Sequence, residues 1–139
     1  MQTKIDEDRL LVPNNPQEKD QKIESAYPRR LSKLLLECQA HQCDGLVFNA
    51  SLSLYYYFGL SFHLSERPIV AMLSTAGKIV WVLPAFEMAQ LESWRSSIEV
   101  FPYGEDPETW QQSFIDGWKA LNVSDHAVLG FDAEQLRLL

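Results

Sequence analysis

The apolar positions of this chain switch repeatedly between a helical and a strand period. In "PRRLSKLLLECQAHQ" (residues 28–42), Leu31, Leu34, Leu35 and Cys38 recur at i, i+3, i+4 and i+7, one face of a helix. Pro28 suits the first turn of that helix, where its missing N–H would have no partner, and "CDG" (43–45) is expected to stop it. "LVFN" (46–49) reads as a short strand. In "SLSLYYYF" (51–58), Ser51 or Ser53 can cap a short helix, and Gly59 would end it in the left-handed conformation. "PIVAML" (68–73) and "KIVWVLP" (78–84) are strands, and the short "STAG" turn between them predicts an antiparallel hairpin.

Helical spacing returns in "PAFEMAQLESW" (84–94), with Phe86, Ala89 and Met88 as the expected apolar contacts. "IEVFPY" (98–103) is a strand with Ile98 and Val100 on one face. Asp106 can then cap a helix that has Pro107 at its first position, and Trp110, Phe114 and Leu121 form a stripe with Trp118 beside it. "HAVLGFD" (126–132) is continuously apolar, the pattern of a strand buried on both faces. Asp132 and Gln135 have capping-box spacing, so "DAEQLRLL" begins another helix. This alternation predicts an α/β fold, a mixed sheet of about five to six strands flanked by helices.

The chain has 139 residues, which fits one domain, and 46% of them are hydrophobic, enough for a core. Residues 1–27 carry ten charges, two prolines and no periodic apolar face, and read as a flexible arm. The domain is then 28–139, and its last helix stops so soon that the domain is expected to be truncated at its C-terminal end. The net charge is −7, and Arg29–Arg30 is the only adjacent basic pair. That argues against nucleic acid and against an anionic membrane surface as partners. With no apolar leader and no apolar run near ~20 residues, a cytoplasmic location is expected. Cys38 and Cys43 are too few for a disulfide scaffold and are expected to be reduced, partly buried thiols.

Sites of chemistry are scarce. His41, His63 and His126 fall in three different elements. Cys38, His41 and Cys43 span a helix end, a poor geometry for zinc, so no metal site is expected in this chain. Neither a Gly-rich phosphate loop nor G-x-S-x-G is present, and Ser61 and His63 share one loop with no orienting acid. No catalytic residue is therefore assigned. The stretch "YYYFGLSFHLSERP" (55–68) gathers His63, Glu66 and Arg67 between Gly59 and Pro68. Those types can bind a carboxylate or donate to a tetrahedral intermediate. By spacing alone they also fit a solvated loop behind core aromatics.

Several motifs in order extend the reading. "CDGLVFN" (43–49), the short helix ending "YYFGL" (56–60), "SERP" (65–68), "VLPAFE" (82–87) and "FPYGEDPETW" (101–110) together resemble the creatinase/prolidase N-terminal domain of Xaa-Pro aminopeptidases and prolidases. Ser53 stands where that family often has Asn, and Phe58 where it often has Thr. The resemblance implies a ribonuclease H-like motif within the fold and an accessory, non-catalytic role. Catalysis would belong to a separate C-terminal pita-bread domain, absent from this sequence. That domain would hold two divalent ions (Mn, Co or Zn) through two Asp, one His and two Glu, making the parent a dinuclear-metal Xaa-Pro peptidase. The implied partners are that catalytic domain and a second subunit in a homodimer. His63, Glu66 and Arg67, with Tyr56 at the base of their loop, would form the wall or lid of the partner subunit's substrate pocket. The alternative is a stand-alone binding module derived from the family without peptidase activity.

Overall fold

The computed structural model describes residues 16–62 and 66–131, with residues 16–25 described by their backbone alone. Its elements are α1 (Pro16–Ala40), β1 (Gly45–Asn49), α2 (Leu52–Phe58), β2 (Val70–Ser74), β3 (Ile79–Pro84), a 3-10 segment (Ala85–Ser97), β4 (Glu99–Tyr103), α3 (Pro107–Leu121) and β5 (Leu129–Phe131). The five strands form one mixed sheet in the order β4-β3-β2-β1-β5. β2 pairs antiparallel with β3, as the hairpin signal requires, and also with β1, while β4 joins β3 and β5 joins β1 in parallel. The predicted fold class is borne out.

Alternation along the central strands explains the two layers of core. Ala71, Leu73, Trp81 and Leu83 point to one face, where they meet Leu31 of α1, Leu54 and Phe58 of α2, and Leu91 of the 3-10 segment. Met72, Val80 and Val82 point to the other, beneath Leu121, Trp110, Phe114 and Trp118 of α3. A strand buried on both faces has no polar positions to alternate, which is why β2 and β3 read as unbroken apolar runs.

Local chemistry sets several ends as expected. The Ser51 hydroxyl accepts from Leu54 N–H at 3.2 Å, and Gly59 closes α2 at φ 71. The Asp106 carboxylate accepts from Glu108 N–H at 3.0 Å, with Pro107 in the first turn of α3. The far end of α3 is held by Lys78, whose Nζ donates to the Ala120 carbonyl at 3.0 Å.

Four expectations need correction. Helix α1 begins at Pro16, so Pro28 lies inside it and the latter part of the expected arm is helical. The helix is closed not within "CDG" (43–45) but just before it, by Gln42 at φ 60; Gly45 opens β1, where a Cβ would lie 2.5 Å from the Leu73 carbonyl oxygen. Residues 85–97 form a 3-10 helix, so the contacts with the core recur every three residues, at the buried Leu91 and the partly buried Met88 and Trp94, while Phe86 and Ala89 are exposed. Finally, β5 is a short edge strand with Phe131 exposed, because β1 is its only pairing partner among the described residues. The expected helix from Asp132 and residues 1–15 of the expected arm lie outside the described residues. Both cysteines are free, Cys38 buried and Cys43 half-buried, as anticipated.

Gly59 allows a first prediction. A Cβ there would sit 2.5 Å from the Tyr27 ring, on a backbone at φ +71. Gly59→Ala should cost about 2–4 kcal/mol, combining left-handed strain with overpacking, read as a lower urea midpoint at unchanged slope.

Candidate functional site

The approach to β2 at Pro68 is tied down from below by the last residue of β4. Tyr103 is buried, and its hydroxyl donates to the Pro68 carbonyl. Its ring lies 5.0 Å from that of Trp110, whose indole N–H donates to the Gly104 carbonyl at 3.1 Å. Burial pushes the Tyr103 phenol up to about 12, against a smaller opposing pull from Arg67. The protonated, donating form is thus favoured by folding. Its contribution is complete below the ordinary phenol range and is lost as pH rises through about 12.

Above this anchor lies an open cleft of about 690 Å³, lined by residues that include Glu66, Arg67, Phe86, Glu87, Glu105 and Trp110. It sits at the carboxyl ends of β3 and β4, whose last residues, Pro84 and Tyr103, are paired in register. Such strand ends are where open α/β sheets place ligands. An Arg67 guanidinium nitrogen donates to Glu105 Oε2 at 3.1 Å, and the guanidinium lies 5.1 Å from the centre of the Phe86 ring. The ion pair is largely solvated, at 38% and 80% side-chain exposure, so it orients Arg67 more than it stabilises the fold. Glu87 accepts from Gln90 across the first turn of the 3-10 segment. The cleft thus sets three carboxylates and one oriented guanidinium beside two aromatic rings, and Arg67 is the side chain there that can pair with an anionic group.

The structure brings Glu66 and Arg67 together at this cleft. His63 lies outside the described residues. Tyr56 is not among the cleft's lining residues. It is half exposed on α2, with the Arg30 guanidinium 4.2 Å from its ring centre and donating to its carbonyl at 2.9 Å. Phe58 is core, edge-on to Trp81 and Trp94 at 5.1 Å each. Sequence reasoning missed Phe86, Glu105, Trp110 and the Tyr103 anchor as parts of one site. The available signal was "FPYGEDPETW", an acidic loop directly after a strand. Among the described residues no group of three or more His, Cys, Asp or Glu side chains is placed to hold a metal ion.

A family model described as the creatinase/prolidase N-terminal domain matches residues 30–138. Solved structures share the fold. A prolidase from Thermococcus sibiricus matches with a TM-score of 0.67 at 22% identity, over 76% of this chain and 28% of that one. The N-terminal domain of an Xaa-Pro dipeptidase from Lactobacillus brevis matches with a TM-score of 0.65 at 15% identity, over 78% of this chain and 80% of that one. A dipeptidase from Mycobacterium ulcerans matches with a TM-score of 0.57 at 23% identity, over 66% of this chain and 26% of that one. The chain thus spans about a quarter of the length of the Mycobacterium and Thermococcus proteins. A search of the curated proteins found no match.

Proposed function

From the premise that this chain belongs to the creatinase/prolidase N-terminal domain family, we propose that it is the non-catalytic N-terminal domain of a cytoplasmic Xaa-Pro metallopeptidase. In this reading it helps to build a homodimer and supplies part of the wall of the partner subunit's active site. The observation that carries the reading is the cleft at the ends of β3 and β4, with Arg67 held by Glu105 and Phe86 at its edge. An oriented guanidinium there suits the carboxylate of a short peptide whose scissile bond is cut elsewhere. Glu66 shares that wall, and His63 is assigned to the same loop. The exposed Leu52, Tyr55 and Tyr56 of α2 offer an apolar patch of the kind that subunits cover, which is where Tyr56 contributes.

The two divalent ions of the reaction belong, in this reading, to a separate catalytic domain, where they would activate water. The described residues of this chain do not fit them, and no role of the chain is routed through them. Among those residues, no helix is long and apolar enough to cross a membrane, and neither membrane nor nucleic acid is proposed as a partner.

The purified chain, supplied with Mn²⁺, Co²⁺ or Zn²⁺, is expected to leave Xaa-Pro dipeptides intact at the rate of metal alone. Metal-dependent turnover that stays with the chain through successive purification steps would overturn the non-catalytic assignment.

A further inference from the structure

The end of α1 brings the two cysteines of the chain to one turn. Gln42 N–H donates to the Gln39 carbonyl at 3.0 Å, and Cys43 N–H donates to the Cys38 carbonyl at 2.9 Å. With Gln42 left-handed at φ 60, these nested bonds are a Schellman closure. That motif turns the side chains at its two outer positions towards each other, commonly as an apolar contact. Here both positions are cysteine, and both thiols are free. The 2.9 Å bond also limits the backbone. With standard bond lengths the two Cα atoms are at most about 6.8 Å apart, which is within the span of a disulfide.

The surroundings differ for the two sulfurs. Cys38 is buried and its S–H donates to the Gly45 carbonyl at 3.7 Å, whereas Cys43 is half-buried. Burial first, then the neighbouring Cys43 and Asp44, push the Cys38 thiol up from its ordinary range. Cys43 is therefore the accessible entry point and Cys38 the resolving group. The next residue, Asp44, pins two other elements. Its carboxylate accepts from Val128 N–H at 2.8 Å, just before β5, and its carbonyl accepts from Thr75 N–H at 3.0 Å, in the β2–β3 turn. The cysteine turn is thus continuous with the corner that holds the edge strand and the hairpin.

We propose that Cys38 and Cys43 are a reversible dithiol–disulfide pair whose oxidant is a low-molecular-weight disulfide of the glutathione class. The Cys43 thiolate attacks one sulfur of oxidised glutathione. The glutathione S–S bond breaks, a mixed disulfide forms on Cys43, and one glutathione leaves and takes up a proton. Cys38 gives its proton to solvent and attacks the Cys43 sulfur. The Cys38–Cys43 bond forms, and the second glutathione leaves and is protonated. Two protein thiols are oxidised, and one glutathione disulfide is reduced to two thiols.

The test incubates the native chain with oxidised glutathione and follows intact mass and free thiols. The expected end product has lost both thiols together, weighs two hydrogens less, carries no glutathione, and returns to the starting mass with dithiothreitol. Peptide mapping should place the cross-link between Cys38 and Cys43, with the far-ultraviolet circular dichroism retained. Cys38→Ser should instead accumulate glutathione on Cys43; Cys38→Ala serves if the serine variant does not fold. A wild-type end product that keeps glutathione on Cys43, a disulfide-linked dimer, two unreacted thiols, or loss of the fold on oxidation would each overturn the proposal.

Discussion

Trp81→Ala is expected to remove about 3–5 kcal/mol of stability, the largest effect of any single truncation in this domain. Trp81 is fully buried on the central strand β3. Its ring stands edge-on to Phe58 at 5.1 Å and tilted against Phe62 at 5.9 Å. It thereby joins the sheet to α2 and to the start of the candidate loop. A small domain has a total stability of about 5–15 kcal/mol, so the loss would consume a large part of it. Urea denaturation should show a much lower midpoint at an unchanged slope. Phenylalanine supplies a control. The Trp81 indole N–H is buried with no hydrogen-bond partner among the described residues, so removing it leaves no acceptor orphaned. Trp81→Phe should therefore cost under about 2 kcal/mol, the loss of ring volume alone. A cost equal to that of alanine would show that a phenyl ring recovers none of the packing that the indole provides.

Much of the fold was legible because its determinants are local. Ser51 and Gly59 bracket α2, Asp106 and Pro107 start α3, and "STAG" joins β2 to β3, each through bonds that span a few residues. What was misread depends on non-local facts. Residues 84–94 fit a helical period of 3.6 about as well as 3.0, and only packing against the sheet selects Met88, Leu91 and Trp94. "HAVLGFD" has the composition of a central strand, but its place at the sheet edge follows from topology, which composition does not encode. Pro28 is compatible with a first turn, so its presence could not reveal a helix that already runs from Pro16. The end of α1 was credited to "CDG" (43–45), because a left-handed Gln42 has no strong sequence signature. The Schellman closure that unites the cysteines was hidden for the same reason.

The candidate site was half visible. Glu66 and Arg67 were found from their place before Pro68 and from the family resemblance. Glu105, the partner of Arg67, lies 38 positions further along the chain and meets it only because β3 and β4 pair in parallel. Phe86 was expected in the core. The tighter 3-10 winding turns it outward, 60% exposed, to lie under the guanidinium. The resemblance also grouped Tyr56 with the loop, whereas its side chain and carbonyl meet Arg30 on α1 and its ring meets Tyr57.

The proposed function has this domain act through Arg67 on chemistry housed in another domain. The direct measurement is Arg67→Ala in a polypeptide that joins this domain to its metallopeptidase partner domain, with kcat/KM determined on an Xaa-Pro dipeptide. Stability should hardly change, because the Arg67–Glu105 pair is solvated and such pairs contribute only about 0–1 kcal/mol. Activity should fall by roughly 10- to 100-fold, the equivalent of one charge-assisted hydrogen bond of about 1.5–3 kcal/mol. Arg67→Lys should restore little of it, since an ammonium lacks the planar fork that Glu105 and Phe86 orient. That loss of kcat/KM is expected at unchanged melting temperature and unchanged metal content. An Arg67→Ala enzyme with wild-type kcat/KM would contradict it and return the loop to a solvated surface.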